Sequence, residues 1–200
     1  MFALIDGNNF YVSCERVFQP ELINQPVIVL SNNDGCIISR SNEAKEMGLK
    51  MGEPLFKAKQ RLNIDSVHIR SSNYPLYADM SNRMMSILAN READIEIYSI
   101  DEAFLYYPNK VDLQQEAVQI KKIVQQWLGL PVSVGIGPTK ALAKAANYLA
   151  KQKKEPWIII KENLEDSLRL IPVEKLWGIG PKHAQRCQGW GIKTALDYKN

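Results

Sequence analysis

Three carboxylates stand where runs that read as β-strands come to an end. Phe2, Ala3, Leu4 and Ile5 deliver Asp6, and the alternating run Ile95-Glu96-Ile97-Tyr98-Ser99-Ile100 delivers Asp101 and Glu102, with Ala103-Phe104-Leu105-Tyr106-Tyr107 directly behind. Carboxylates at strand ends are what a two-metal phosphoryl-transfer site requires. Mg²⁺ is a hard ion that takes oxygen ligands and keeps water or substrate phosphates in its remaining positions. Two such ions about 4 Å apart activate an attacking hydroxyl and stabilise the leaving oxygen of an in-line displacement. Neighbouring residues of a regular strand point to opposite faces, so Asp101 and Glu102 share a site only at a turn or bulge. A polar hairpin turn is the commoner origin of a lone Asp-Glu pair, and the rest of the chain has to choose.

Three further groups of residues bear on that choice. Lys140, Lys144 and Lys151 follow Gly135-Ile136-Gly137. On a helix their spacing brings them within about 40° on one face, with Leu142, Ala145, Ala146 and Leu149 on the buried side. A dinucleotide fingerprint is excluded, because Lys140 stands where its third glycine belongs. The stripe is either a solvated face or a phosphate-binding one. Phe10 and Tyr11, just after the Asp6 strand, are core aromatics, or one of them faces a nucleotide sugar and leaves no room for a 2′-hydroxyl. Trp177-Gly178-Ile179-Gly180-Pro181-Lys182, with Gly191-Ile192 beyond it, fits either a plain helix-helix turn or a helix-hairpin-helix. In the latter, backbone N–H groups take a DNA phosphate without reading sequence. His183 and Cys187 depart from that motif, since apolar packing residues usually stand there.

The elements that must position these residues follow from pattern. Residues 2–5 predict a buried strand and 8–15 an aromatic-rich turn or short helix. Residues 27–30 and 36–39 flank Asn32-Asn33-Asp34-Gly35 and predict a hairpin. A helix over 42–47 takes Ser41 as its cap and Gly48 as its left-handed end. Met80, Met84, Ile87 and Leu88 give a helix over about 78–88, and 95–107 forms the hairpin of the acidic pair. Leu113, Ala117, Ile120, Val124 and Trp127 predict a longer amphipathic helix. Residues 131–137 make a strand, Pro138 opens the next helix, residues 157–160 make a final strand, and small helices follow Lys161. Strands and helices interleave in an α+β core, with a hairpin-bearing insertion after the first strand.

Composition adds bounds. In 200 residues, a hydrophobic share of 46% suffices for a real core, and no apolar run approaches the roughly 20 residues of a membrane span. The start turns acidic too early for a signal peptide. Cys14, Cys36 and Cys187 lack metal-ligand spacing, which points to a reduced, cytoplasmic protein. A net charge of +3 permits nucleic-acid binding without arguing for it.

Together these segments resemble the Y-family translesion DNA polymerases, in particular their bacterial polymerase V branch. The resemblance is carried by Ala3-Leu4-Ile5-Asp6 through Phe10-Tyr11 and by Ser31-Asn32-Asn33-Asp34-Gly35-Cys36. Leu76-Tyr77-Ala78-Asp79-Met80-Ser81-Asn82-Arg83, Ser99-Ile100-Asp101-Glu102-Ala103, Thr139 to Lys144 and Val173 to Gly180 extend it. It implies a polymerase palm (1–10 and 72–158) with an antiparallel sheet, small fingers (11–71), and an incomplete helical thumb (161–200) with a helix-hairpin-helix. The DNA-gripping little finger that follows in the family is absent from these residues. It further implies translesion synthesis in SOS-type mutagenic repair, with two Mg²⁺ ions on Asp6, Asp101 and Glu102 and the Gly7 carbonyl assisting. Tyr11 matches the sugar-selecting ring and Phe10 packs beside it. Ser39, Asn42, Lys45 and Lys151 match triphosphate contacts, and Gly178, Gly180 and Lys182 DNA contacts. Many members carry tyrosine and arginine at the positions of Asn42 and Lys45, and lysine lacks arginine's bidentate grip. The implied partners are primer-template DNA, deoxynucleoside triphosphates, a UmuD-type dimer and a RecA filament, with no membrane. Two other readings remain open. One is a catalytically weak remnant that binds DNA or a partner. The other is a nucleotidyl cyclase with a palm-like topology, against which the Gly-Ile-Gly hairpin argues.

Overall fold

The computed structural model describes residues 1–32, 35–91, 93–108, 112–161 and 164–200. In chain order the elements are β1 (Phe2–Gly7), α1 (Phe10–Phe18), β2 (Val27–Leu30), β3 (Ile37–Arg40), α2 (Asn42–Glu46), α3 (Leu55–Arg61), β4 (His68–Ser71), α4 (Tyr74–Ala89) and β5 (Asp94–Ile97). They continue as β6 (Glu102–Tyr106), α5 (Leu113–Leu128), β7 (Val132–Gly137), α6 (Lys140–Lys153), β8 (Trp157–Ile159), α7 (Leu164–Arg169), α8 (Pro181–Gly189) and α9 (Ala195–Lys199). The chain divides into two compact units, one of Met1–Asp6, Met85–Val124 and Val132–Asn200, the other of Gly7–Met84 and Gln125–Pro131.

The first unit is built on a five-stranded sheet of order β5-β6-β1-β7-β8. β6 runs antiparallel to both β1 and β5. The sheet is mixed rather than antiparallel throughout, because β7 and β8 pair in parallel. Parallel neighbours need a crossover, and α6 supplies it. The helix packs so closely on β7 that side chains at two strand positions are impossible. A Cβ on Gly135 would lie 2.2 Å from the Asn147 amide nitrogen, and one on Gly137 would lie 2.8 Å from Leu142. The Gly-Ile-Gly run is thus a packing feature. Ala143, Ala146 and Ala150 line the buried face of α6 and add no bulk of their own.

α6 opens later than the proline suggests. Thr139, in the extended region, is its N-cap and accepts from the Leu142 N–H, so Pro138 stands outside the helix. A hydroxyl that satisfies an orphan N–H sets the start more firmly than a ring that merely tolerates it. The α5 face also ends early, with Ala117, Ile120 and Val124 buried and Trp127 exposed. The small helices after residue 161 share a core with α6, in which Ala146 and Leu149 meet Ile160, Leu168, Ile171 and Ala195. Thr194 and Asp197 close a reciprocal capping box at the start of α9.

The second unit holds a three-stranded sheet of order β3-β2-β4. β2 and β3 form the expected antiparallel pair, although Asn33 and Asp34 of the turn lie outside the described residues. Ser41 caps α2 through the Ala44 N–H, and Gly48 is left-handed at φ 87°. Of the turn or short helix expected over 8–15, the structure has the helix, α1, which runs nine residues to Phe18, and α4 begins at Tyr74, ahead of its apolar repeat. α3 and β4 have no counterpart in the sequence reading. Only Ala58 of α3 is buried, and β4 carries a single aliphatic residue, Ile69. Neither shows a periodicity to read. Both nonetheless cover a core of Ile28, Ile37, Leu49, Ala58 and Val67. Among the described residues no helix is long and apolar enough to cross a membrane.

Candidate active site

The register of β1 on β6 brings the first two carboxylates together. Phe2 faces Tyr106, Leu4 faces Phe104 and Asp6 faces Glu102. Leu4 and Phe104 pack on Ala143 of α6. Strand residues two apart share a face, so Asp6 and Glu102 also present theirs towards that helix. Like charges directly opposed on neighbouring strands repel, and α6 supplies the counter-charge. Lys151 Nζ donates to Asp6 Oδ1 at 2.6 Å, and Lys144 Nζ donates to both Glu102 oxygens at 3.0 and 3.1 Å. Lys140 pairs with Glu96 of β5. The lysine stripe is therefore a row of partners for acids.

Asp101 is placed by a turn, as strand alternation demands. The amides of Tyr98 and Ser99 both donate to the Glu102 carbonyl, at 3.0 and 3.1 Å, so residues 98–101 close the β5-β6 hairpin. Asp101 sits at its end and accepts from the Ser99 hydroxyl at 2.7 Å. Among the described residues no three His, Cys, Asp or Glu side chains converge closely enough to hold a metal ion. Asp6 and Glu102 are opposed, while Asp101 stands beside them, turned to Ser99.

Burial pushes the Asp6 carboxyl up to about 6, against the pull of Lys151, and the charges of Glu102 and Asp101 add to the rise. A carboxylate so placed calls for positive charge. The donor set is all oxygen, with no sulfur or imidazole, which suits a hard divalent cation. The chemistry of these residues suits the Mg²⁺ that the resemblance implies, while the three side chains do not converge on one point in this structure. Asp6 and Glu102 line a cavity of about 310 Å³ with Lys144, Lys151, Lys175 and Trp177. Sequence reasoning placed Trp177 only in the hairpin motif, and nothing near Lys175 signals a role.

The second unit holds the other candidates. Phe10 is buried in the core. Tyr11 is half-buried, stacked on Tyr77 at 4.3 Å and 14° and met edge-on by Tyr74 at 6.2 Å. Tyr77 is fixed in turn by its hydroxyl, which donates to buried Glu15 at 2.6 Å. Ser39 is buried, and its hydroxyl accepts from the Val12 N–H of α1 at 3.4 Å. Asn42 and Lys45 come together with a residue the sequence did not single out. Asn9 Nδ2 donates to Asn42 Oδ1 at 3.1 Å, and Lys45 Nζ donates to Asn9 Oδ1. Asn9, at the N-cap of α1, is left-handed at φ 49° and makes no side-chain capping bond. Lys151 belongs to the first unit, with Asp6.

Gly178 is left-handed at φ 89°, and Gly180 is the extended N-cap of α8, with Pro181 as its first residue. Lys182 is exposed. Cys187 is buried, whereas His183 is exposed.

The family described as impB/mucB/samB matches residues 5–148, more than half of the chain. The chain belongs to the impB/mucB/samB family. Protein UmuC of Salmonella typhimurium is 48% identical over 98% of this chain and 49% of its own length. DNA polymerase IV of Bacillus velezensis is 35% identical over 96% of this chain and 47% of its own. This impB/mucB/samB chain thus spans about half the length of the curated relatives it matches. The solved structure of an insertion ternary complex of Dbh DNA polymerase superposes with a TM-score of 0.85 at 29% identity, over 97% of this chain and 59% of that one. The mixed α+β fold of this family member is that of the Y-family polymerases, as its sequence implied.

Proposed function

We propose that this chain carries the catalytic part of a template-directed DNA polymerase that copies damaged templates, in SOS-type mutagenic repair in the cytoplasm. One observation carries the reading: two carboxylates forced opposite one another at strand ends, in a cavity whose other charges are lysines. In this reading residues 1–10 and 72–158 are the palm, 11–71 the fingers and 161–200 a partial thumb. Asp6, Asp101 and Glu102, with the Gly7 carbonyl, would hold two Mg²⁺ ions, whose chemistry is to activate a primer 3′-hydroxyl and stabilise the leaving pyrophosphate oxygen.

The chain's own residues do the positioning, which is most of phosphoryl-transfer catalysis. Lys151, Ser39, Asn42 and Lys45 bind the triphosphate. The Tyr11 ring, backed by Tyr77, fills the space a ribose 2′-hydroxyl would need, and Phe10 anchors it from the core. The N–H groups at Gly178 and Gly180, with Lys182, take a DNA backbone phosphate. Contacts of this kind hold duplex without reading it, and their affinity falls steeply with salt. A UmuD-type dimer and a RecA filament are the protein partners this reading implies.

Primer extension by the chain with Mg²⁺, at low and then rising salt, tests the proposal. Insertion of one or a few nucleotides, lost as salt rises, is the expected result. Primer-template binding without any insertion would leave a DNA-binding protein instead, and neither would remove nucleic acid altogether.

A further inference from the structure

Lys144 is held by more than its carboxylate. While donating to Glu102, its Nζ lies 4.5 Å from the centroid of the Tyr98 ring and 5.7 Å from that of Trp177. The two rings are fixed to each other, edge to face at 5.6 Å and 86°, and the indole N–H donates to the Tyr98 hydroxyl at 3.1 Å. Both also rest on buried Phe104, at 5.7 and 6.0 Å. Each is left 44% exposed. A cation over an aromatic face is drawn to the negative side of the ring quadrupole, which gives these two half-exposed rings a reason to stand where they do. Lys151 is the internal comparison. It leaves the same helix for the other carboxylate, yet among the described residues no ring lies over it. Its side chain is 40% exposed against 19% for Lys144.

We propose that Tyr98 and Trp177 form an aromatic cradle that keeps the Lys144 ammonium on Glu102 as a resident counter-cation, one that an incoming divalent cation must displace. The inference rests on the polymerase reading in taking Glu102 as a metal ligand. Tyr98 and Trp177 are then positioning residues, acting through Lys144, and they tie the segment before α8 to the acidic hairpin. The cradle sets how much divalent cation the site needs, separately from how it handles nucleotide.

The test is Mn²⁺ binding by the chain without DNA or nucleotide, read from the electron paramagnetic resonance of the free ion. Lys144→Met should tighten binding about 10-fold, since it removes the competing charge. Trp177→Leu and Tyr98→Leu should each tighten it about threefold, whereas Tyr98→Phe, which keeps the ring face, should stay near wild type. On a Lys144→Met background the ring variants should add nothing, because the coupling runs through the ammonium. Nuclear magnetic resonance supplies the geometric readout: ring currents should move the Lys144 ε-methylene protons upfield, and Trp177→Leu should return them. Ring variants that change Mn²⁺ affinity equally with and without Lys144, or not at all, overturn the cradle. Equal binding by wild type and Lys144→Met, or none by either, does so too. Should Trp177→Leu fail to fold, Tyr98→Leu reports the same coupling. Primer extension on the same samples keeps the two readings apart. An inactive chain with the coupling intact sinks the polymerase and leaves the cradle, and an active chain with additive variants sinks the cradle alone.

Discussion

The carboxylate end of the β1-β6 sheet and the polar cluster around Asn9 are two ways of assembling a site. In the first, sheet register sets the distances: Asp6 faces Glu102 because Leu4 faces Phe104, and a helix packed against backbone brings the lysines. In the second, Asn9, Asn42 and Lys45 meet through exposed side chains from a left-handed position and a five-residue helix. The first holds charge in place at the cost of burying it. The second can adjust, and loses little when one member changes. The proposed reaction, which needs fixed metal ligands and a tolerant grip on a flexible triphosphate, would use both.

Substitutions can break that contrast at several strengths. Asp101→Asn should lower insertion by about 1,000-fold or more while leaving the melting temperature near wild type, because a lost metal charge removes transition-state stabilisation and no packing. Single-turnover insertion beside a thermal melt checks both halves. Gly135→Ala should destabilise the first unit by roughly 3 kcal/mol or more, since its Cβ would meet the backbone of Asn147 and Ala143 at 2.2 and 2.3 Å, and neither can step aside. Denaturant unfolding measures this, and a near-native midpoint would refute the rigid half of the comparison.

Tyr11→Ala comes next. It should raise ribonucleotide relative to deoxynucleotide insertion by about 10-fold or more, since exclusion is lost and not an attraction. Unaltered selectivity with a lowered melting temperature would make Tyr11 a plain packing residue. Asp6→Asn should stabilise the protein in chelator at neutral pH by about 1–2 kcal/mol. Burial raises the folded pKa of Asp6 to about 6 from 3.8, so its contribution is fully present below pH 3.8 and is lost as pH rises through 6. The variant's advantage should vanish towards pH 4, as melts across that range would reveal. Asn42→Ala should be mildest, raising the nucleotide KM about threefold with kcat unchanged, because its neighbours Asn9 and Lys45 remain.

What the sequence disclosed follows from how each feature is encoded. β1, β6 and the turn before Glu102 were legible, because strand alternation is local and Asp101 beside Glu102 demanded a turn. The α6 lysines were legible as a stripe but not as partners of Asp6 and Glu102. That pairing depends on which strands become neighbours, a relation no single segment carries. α3 and β4 left too few apolar positions to count. Pro138 misled because Thr139 competed for the start of the helix and won. Asn9 gave no signal, since a left-handed asparagine looks like any other until its φ is known.

The contact between β7 and α6 has one more consequence. Most helices ride on a sheet through a layer of side chains that can repack when either element shifts. At Gly135 and Gly137 that layer is missing, so strand and helix touch backbone to backbone and have nothing compressible between them. A push on Lys144 or Lys151 would therefore reach β7 through backbone contact rather than through a side-chain layer.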